Sequence, residues 1–305
     1  MRVVRDVKRL QQLAGCALTI GNFDGLHRGH QAVIEQLNAH ASALQVPSAL
    51  MTFEPMPLEF FRPEQAPARL SSLREKVEDA GAFGIDLFVC ARFNRKFAEL
   101  SADAFLHQLL LERFNPRYVT VGDDFHFGHN REGDIECLHA FGAAHGIQTA
   151  PMSAVTVAGE RISSTRIRTA LAAGDTAAAR HLLGRDYRIS GRVASGRQLG
   201  RTLGFPTANI RMRRRVALRY GVYAVRVTLP DGRVHGGAAN IGVRPAVGGD
   251  DCLLEVFLLD FDGDLYDRRI DVSFEAFIRA EADFDDLEAL TRQMHADVDA
   301  VRAVL

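Results

Sequence analysis

The predicted secondary structure changes character near Arg185, and this change constrains the fold of the 305-residue chain more than any other feature. Before it, strand-like segments alternate with segments of helical periodicity, an order that is typical of a parallel sheet with helices on its faces. From residue 187 to 274, strand-like segments follow one another without helical patterns, which favours a small antiparallel barrel. We therefore predict an α/β domain over 1–186 and a β domain over 187–305, with a terminal helix.

The individual elements come from hydrophobic periodicity and from turn and cap signals. In the first half the predicted strands are 16–21, 48–53, 85–90 and 118–121, and the predicted helices are 29–44, 73–82, 102–113 and 163–173. In the second half the predicted strands are 189–194, 222–228, 234–239, 253–259 and 270–274, and the helix is 287–305.

Composition limits the possible partners. The formal net charge is −1, so no broad electrostatic attraction to nucleic acid or to an anionic membrane is expected. The four cysteines are far apart and form no CxxC pair, which disfavours a zinc site or a disulfide framework. The first fifteen residues lack the apolar core of a signal peptide. We expect a cytoplasmic protein.

A stretch rich in glycine and histidine, TIGNFDGLHRGH at residues 19–30, runs from a strand end into a helix start. Ligands bind outside the carboxyl ends of parallel strands, and a helix N-terminus offers N–H donors to an anion. His27 and His30 are three residues apart and share one face of a helical turn. The spacing suits contacts to a phosphate chain. Half of a metal site, or two unrelated surface histidines, would give the same pattern.

A second candidate segment is RISSTRIR at residues 161–168. Hydroxyl side chains lie at a predicted helix start, and Arg166 and Arg168 add charge-assisted donors for phosphate. An ordinary serine-capped helix with surface arginines has the same pattern, so this segment alone decides little.

Together the two segments resemble the HxGH and ISSTxxR signatures of nucleotidylyltransferases. GNFDGLHRGH, TFEPMP, VGDDFHFG, REGD and ISSTRIR also occur in the order typical of the adenylyltransferase half of bacterial riboflavin kinase/FAD synthetases. The resemblance implies a Rossmann-like domain in which His27, His30 and Arg168 are catalytic, and Asp124 and Phe125 lie near the flavin. By the same resemblance, the residues around the ATP phosphates are Gly21, Phe23, Gly25, Gly29, Ser163, Ser164, Thr165 and Arg166.

The region 191–209 is also glycine-rich. Gly191 and Gly196 have P-loop spacing, but Arg197 and Gln198 stand where that motif needs Lys and Ser or Thr, so a P-loop is excluded. Turns and bulges of a small barrel explain some of these glycines. They do not explain the tetrapeptide PTAN at 206–209.

The glycine-rich loop leading into PTAN resembles the riboflavin kinase signature, and GVYAV, AANIGVRP, LEVFLLDF and FIRAEADF follow in the family's order. The resemblance implies that Thr207 and Asn209 hold Mg2+ and ATP phosphates, that Glu255 is the catalytic base and that Arg279 contacts flavin. The glycines it places around ATP are Gly191, Gly196, Gly200 and Gly204. Three residues depart from the family pattern: Ala246 replaces threonine, Phe257 replaces histidine and Asp267 replaces glycine.

The resemblance covers nearly the whole chain and implies a bifunctional transferase. It would phosphorylate riboflavin to FMN and adenylylate FMN to FAD, with ATP as co-substrate and Mg2+ as cofactor. The expected partners are these small molecules, with no nucleic acid and no membrane. Three alternatives stay open at this point. One of the two activities is lost, or the chain is a flavin-binding protein without catalysis, or it is an RNA-binding relative of aminoacyl-tRNA synthetases.

Overall fold

The structure is a computed structural model that describes residues 1–152, 155–157, 159–195, 204–212, 214–246 and 249–305, with backbone alone for 243–246 and 249–251. These residues divide into two compact units. Unit 1 contains Met1–Pro67 and Ser71–Ile162, and unit 2 contains Ala68–Leu70 and Ser163–Leu305. The boundary predicted after residue 186 concerns functional domains and stays a prediction.

The described part of unit 1 is built on one parallel sheet of six strands. The strands are β1 (Arg2–Val4), β2 (Cys16–Ile20), β3 (Ser48–Glu54), β4 (Leu87–Arg92), β5 (Pro116–Gly122) and β6 (Gln148–Met152). Their order across the sheet is β1-β4-β3-β2-β5-β6. The strand order therefore reverses direction between β2 and β5, and such a switch point is where open α/β sheets bind ligands.

Helices cover both faces of this sheet. They are α1 (Arg28–Ala43), α2 (Pro57–Phe61), α3 (Leu73–Ala82), α4 (Arg95–Ala98), α5 (Ala102–Ala104, continued as a π-helix over Phe105–Phe114) and α6 (Ile135–His145). Along β2, Leu18 and Ile20 pack in one buried cluster with Leu110, whereas Ala17 packs in a second cluster with Ile34 of α1. Successive strand residues point to opposite faces, so these two clusters are the two helix-covered layers. The predicted fold class of this half is confirmed.

Most predicted elements of unit 1 form where expected, with α3 at the predicted bounds. The prediction of a strand at 85–90 is wrong by two residues, because β4 begins at Leu87. The predicted helix 102–113 is α-helical only at its start. Sequence reasoning missed α6, which begins at the cap Asp134 within the REGD motif, and β6, an edge strand that tolerates Pro151. A small antiparallel pair, β7 (Thr156–Val157) and β8 (Glu160–Arg161), follows β6.

Unit 2 begins with two helices, α7 (Ser164–Ala173) and α8 (Thr176–Leu183). The strands that follow are β9 (Tyr187–Ala194), β10 (Thr207–Met212), β11 (Gly221–Thr228), β12 (Val234–Ala246), β13 (Gly249–Leu258) and β14 (Arg269–Ala280), and the chain closes with α9 (Leu287–Val304). The strands close an antiparallel barrel in the order β10-β13-β12-β11-β14-β9. The predicted barrel and terminal helix are confirmed. Sequence reasoning missed β10, because the PTAN motif was given no secondary structure and the arginine-rich run 211–215 after it favours a loop.

The barrel has an apolar interior and one outer face that α9 covers. Leu254 and Val256 of β13 are fully buried, as alternation toward the interior requires. On the outer face, Ala224 packs against Val301 of α9, and Phe257 joins the same cluster. On this outer face, Phe257 of β13 therefore lies beside α9.

The four cysteines are free thiols. Burial raises the pKa of the Cys16 thiol to about 12, and burial together with the charge of Glu281 raises that of Cys252 to about 11. Both thiols therefore stay protonated near neutral pH. Because the thiolate is the reactive form of cysteine, we expect neither side chain to act as a nucleophile. Within the described ranges, no helix has both the length and the apolar character needed to cross a membrane.

Candidate active sites

The first candidate site lies where β2 ends and α1 begins. His27 is the N-cap of α1 and is 6% exposed, and its Nδ1 accepts a hydrogen bond from the His30 backbone N–H at 3.3 Å. The two imidazole rings stack with centroids 3.7 Å apart and planes at 14°. A Cβ on Gly29 would stand 3.2 Å from the His27 ring, so glycine gives this ring its room. The predicted histidine pair is therefore brought together at a helix N-terminus.

The loop before α1 has an unusual backbone. Phe23, Gly25 and Leu26 all have positive φ, at 46°, 86° and 38°. Such angles are strained for Phe and Leu and persist only where surrounding contacts enforce them. Phe23 is 3% exposed, and its ring centroid lies 5.1 Å from that of His30. A Cβ on Gly21 would stand 3.2 Å from the Phe23 ring, so this glycine too serves close packing.

Buried polar residues hold this loop in place, and sequence reasoning missed them. Asp24 Oδ1 accepts hydrogen bonds from the Ser71 backbone N–H at 3.0 Å and from its hydroxyl at 3.3 Å. The Asn22 carbonyl accepts from Lys76 Nζ at 2.6 Å and from Thr52 Oγ1 at 3.1 Å. Lys76 is 1% exposed, and a lysine is almost never buried unless it is paired. In the sequence the one available signal is the serine cap of α3.

The predicted flavin residues Asp124 and Phe125 lie just after β5, at the carboxyl edge of the sheet. Asp124 is exposed, and its Oδ1 lies 3.5 Å from Arg161 Nη2, which pairs more closely with Asp123 at 2.8 Å. The Phe125 ring stacks on Phe127 with centroids 5.6 Å apart. The structure thus provides an aromatic surface and a charged pair at this edge.

The Ser163–Arg168 segment belongs to unit 2 and starts α7. Ser163 is the N-cap, and its hydroxyl accepts from the Arg166 N–H at 3.3 Å. Ser164 and Thr165 form the first turn, where Thr165 is exposed. Arg168 donates through Nε to the Ala68 carbonyl at 2.6 Å. The capped helix that the sequence predicts is present, with its hydroxyls and arginines in the first two turns.

The second candidate site lies on the outer face of the barrel. Asn209 of β10 pairs directly with Glu255 of β13, and Asn240 of β12 pairs with Glu255 from the other side. Directly opposite residues have Cβ atoms ~4.5–5.5 Å apart, so one carboxylate stands between two amides. Thr207 lies two residues before Asn209 on the same face, and Asn209 Nδ2 donates to its carbonyl at 3.2 Å. Sequence reasoning missed Asn240, although it lies within the AANIGVRP motif.

This face is partly enclosed by aromatic residues. Phe205 is 5% exposed, and its ring centroid lies 5.2 Å from that of Phe257 and 4.9 Å from that of His295 on α9. Phe257 thus makes an apolar contact beside α9. The carboxylate of Glu255 lies two residues from this aromatic group, on the same side of β13.

The four glycines predicted to contact ATP have different positions. Gly204 is exposed with φ +85°, a left-handed conformation that favours glycine. Gly196 and Gly200 lie outside the described residues. Gly191 lies on β9, where an added Cβ would stand 2.1 Å from Cγ2 of Ile210. The packing between strands is thus sufficient reason for glycine at 191.

We expect Gly191→Ala to destabilise the fold by ~1–3 kcal/mol through overpacking, measured by urea unfolding. The cost of Ile210→Ala should be smaller in the Gly191→Ala background than in the wild type, since the two side chains compete for one space. Gly204→Ala is the control for coupling: its φ of +85° makes alanine costly there too, but no atom lies within 4 Å of an added Cβ, so Ile210→Ala should cost as much in that background as in the wild type. Equal costs of Ile210→Ala in both backgrounds would contradict the packing role.

The remaining site residues are placed as follows. Asp267 has φ +59°, a left-handed conformation that favours glycine, and its N–H donates to the Val193 carbonyl at 3.0 Å. Ala246 lies on β12. Arg279, predicted to contact flavin, donates through Nε and Nη2 to both carboxylate oxygens of Asp297 on α9, each at 2.7 Å. The guanidinium therefore joins α9 to β14.

Comparisons with known proteins agree with this two-part geometry. The family model for FAD synthetase matches residues 9–166, and that for riboflavin kinase matches residues 183–305. A bifunctional riboflavin kinase/FMN adenylyltransferase from Pseudomonas fluorescens is 48% identical, covering 100% of this chain and 98% of its own. The Escherichia coli (strain K12) protein of the same name is 45% identical, covering 97% of this chain and 96% of its own.

A solved structure shares the fold of the whole chain. It is the crystal structure of a protein from Streptococcus pneumoniae described as a macrolide-efflux protein, with a TM-score of 0.81, 27% identity and 98% coverage of both chains. Two family models in succession and relatives of nearly equal length give one assignment. The chain belongs to the family of bifunctional riboflavin kinase/FMN adenylyltransferases.

Proposed function

We propose that the two activities of this family take place at the two sites described above. The chain phosphorylates riboflavin to FMN in its C-terminal half and adenylylates FMN to FAD in its N-terminal half. One observation supports the assignment of each activity to its own site: the two candidate sites lie in different units. The His27–His30 stack lies in unit 1 and the Asn209–Glu255 pair lies in unit 2, each within the range of its own family model.

In the adenylyl step, an oxygen of the FMN phosphate attacks the α-phosphorus of ATP. The bond from that phosphorus to the bridging oxygen breaks, and pyrophosphate leaves. The FMN phosphate is largely dianionic near neutral pH, with a second pKa of ~6, so it needs no general base. The site must instead align two anions and stabilise charge on the leaving group. The α1 N-terminus and the stacked His27 and His30 supply N–H donors for that purpose.

A second set of residues is also proposed to bind the phosphates of ATP in adenylyl transfer: Ser163, Ser164, Thr165, Arg166 and Arg168. Ser163 fixes the start of α7, so the backbone N–H groups and hydroxyls of the first turn lie together at this helix N-terminus. Arginine donors form charge-assisted hydrogen bonds to phosphate, which strengthen as pyrophosphate gains charge. The segment therefore suits the departing end of ATP.

In the kinase step, the terminal ribityl hydroxyl of riboflavin attacks the γ-phosphorus of ATP, and ADP leaves. A hydroxyl is a poor nucleophile while it keeps its proton, so this step benefits from a general base. Glu255 is the proposed acceptor of that proton. The strand pairing holds it between Asn209 and Asn240, and neither amide side chain carries a charge that would repel it.

The chemistry of the donors supports a Mg2+ site that ATP completes. Thr207 and Asn209 offer a hydroxyl and an amide oxygen, which are hard but neutral ligands. Mg2+ keeps several waters and binds one or two protein groups together with substrate phosphates. When bound, it neutralises phosphate charge. Among the described residues, no group of three or more His, Cys, Asp or Glu could hold a metal ion.

Three further assignments are proposals of the same kind. Asp124 and Phe125 contact the flavin of FMN, supported by the aromatic stack at the sheet edge. Arg279 of β14 contributes to the riboflavin site, and its guanidinium is held in place by Asp297 of α9. A cytoplasmic location agrees with the free cysteines, since cytosolic thiols stay reduced.

A product time course tests the proposed function. Purified protein is incubated with riboflavin, ATP and Mg2+, and riboflavin, FMN and FAD are separated by chromatography. FMN should rise before FAD. FMN without FAD would contradict the adenylyl site, whereas FAD from supplied FMN with none from riboflavin would contradict the kinase site and direct attention to Ala246, Phe257 and Asp267.

A further inference from the structure

Strand β14 is interrupted by two β-bulges. Pairing with β11 passes from Ala276 directly to Phe274, so Glu275 is an extra residue in the strand. A second register shift does the same at Ile278. A bulge releases one residue from the ladder and turns its neighbours to a new direction, and bulges are enriched next to functional sites. The first bulge lies where α8 contacts β14, and Ile278 at the second bulge packs in the cluster that contains Val301 of α9.

The first bulge residue, Glu275, holds α8 through both its backbone and its side chain. Its carbonyl accepts from Thr176 Oγ1 at 2.7 Å, and Thr176 is 7% exposed at the start of α8. Its carboxylate, 17% exposed, accepts from Arg180 of α8 and from Arg226 of β11. Partial burial would lower the pKa of Arg180, but hydrogen bonds and charges of Asp186 and Glu275 raise it overall.

Between the two bulges, Phe277 packs against the end of α7. A Cβ on Gly174, the C-cap of α7 with φ +82°, would stand 3.1 Å from the Phe277 ring. The guanidinium carbon of Arg219 lies 4.7 Å from the centroid of that ring, a cation–π geometry. The Arg219 N–H donates to the Leu171 carbonyl on the last turn of α7 at 2.9 Å. The C-terminal end of α7 is thus fixed by barrel residues.

The other end of α7 carries the serine–arginine segment. The helix is 10 residues long, so anchoring its C-terminus to the barrel determines where Ser163 and Arg168 point. Arg168 is also held within unit 2, through the Ala68 carbonyl at 2.6 Å. A short helix transmits the position of one end to the other as a rigid body.

We propose that Glu275, Phe277 and Thr176 are positioning residues for adenylyl transfer, so that the barrel responsible for kinase chemistry also aims the Ser163–Arg168 segment of the adenylyltransferase. The proposal rests on the proposed function of that segment at the ATP phosphates. These residues touch no reacting atom in this scheme. They act by fixing α7 and α8 through the two bulges.

Two variants loosen this attachment without removing apolar core. Thr176→Val keeps the shape of the side chain and loses the hydrogen bond to Glu275, and Arg180→Ala removes the ion pairs with Glu275 and Asp186. A net hydrogen bond contributes ~0.5–1.5 kcal/mol, so kcat/KM for ATP in FMN adenylylation should fall about two- to tenfold in each variant. The loss should appear in KM for ATP, while riboflavin phosphorylation by the same sample keeps its wild-type rate.

The matched control is Arg302→Ala, which removes another arginine of unit 2 that pairs with a carboxylate, Asp260, but lies on α9. It should change neither activity. Unchanged adenylylation in both Thr176→Val and Arg180→Ala overturns the proposal, and so does a parallel loss of both activities, which would mark a merely structural role. Arg168→Ala distinguishes a failure of the function proposed for the Ser163–Arg168 segment from a failure of the positioning role proposed for Glu275, Phe277 and Thr176. If it retains adenylylation, the proposed function of the segment is wrong. If it abolishes adenylylation while Thr176→Val and Arg180→Ala are normal, only the positioning role is wrong.

Discussion

In the variant His30→Ala, FAD formation should stop while FMN still accumulates from riboflavin. Removing one preorganised donor to developing charge costs ~10²–10³-fold in kcat, and His30 lies in the first turn of α1 with its ring stacked on His27. The kinase chemistry is assigned to the barrel, which His30 does not belong to. The measurement is the chromatographic time course, started once from riboflavin and once from FMN.

The same helix offers a matched control. His40 lies in the last turn of α1, and its ring also stacks on an aromatic partner, Tyr118, with centroids 3.9 Å apart. His40→Ala therefore removes a stacked imidazole from the same helix, but far from its N-terminus. It should lower the melting temperature without changing the rate of FAD formation. If His30→Ala makes FAD at the wild-type rate, or stops FMN formation instead, the assignment of the adenylyl site is wrong.

Sequence reasoning predicts the scaffold of this site well because local signals and tertiary packing agree. A short apolar run places β2 and helical periodicity places α1, and the parallel order places the TIGNFDGLHRGH stretch at a strand end. The residues that hold the loop before α1 could not be predicted in this way. Lys76 reaches the Asn22 carbonyl from α3, 54 positions along the chain, and no periodicity signals such a contact. A buried lysine in a helix resembles a surface lysine until the structure is known.

In the barrel, too, the sequence predicts the strands but not the contacts between the site residues. Alternation along β13 sends Glu255 to the face opposite Leu254 and Val256, but alternation alone does not distinguish a solvent-facing glutamate from a base. The pairing of Asn209 and Asn240 with Glu255 depends on the register of three strands, which is set by tertiary contacts. The bulges at Glu275 and Ile278 were also missed, because the predicted strand ends at Phe274 whereas β14 continues through both bulges to Ala280.

The variant Glu255→Gln should abolish riboflavin phosphorylation and leave adenylylation of supplied FMN unchanged. The amide has nearly the same shape as the carboxylate, and Glu255 is only half-buried, so the fold should persist. What is lost is the ability to accept the proton of the ribityl hydroxyl, and general-base catalysis contributes ~10²–10⁴-fold. Steady-state rates of FMN formation from riboflavin, and of FAD formation from FMN, measure the two effects in one preparation.

The control must remove a carboxylate from the barrel without touching this face. Asp271 on β14 pairs with Arg188 on β9 at 3.6 Å, and Asp271→Asn should leave both activities at wild-type rates. Asn209→Ala then distinguishes two mechanisms. If Glu255→Gln and Asn209→Ala both stop phosphorylation, base and nucleotide site lie together as the register indicates. If Asn209→Ala stops it and Glu255→Gln does not, phosphoryl transfer here proceeds by positioning and charge stabilisation alone, which the loose transition state of such reactions permits. The proton of the ribityl hydroxyl would then leave to a different acceptor, and Glu255 would be a structural neighbour of the two amides.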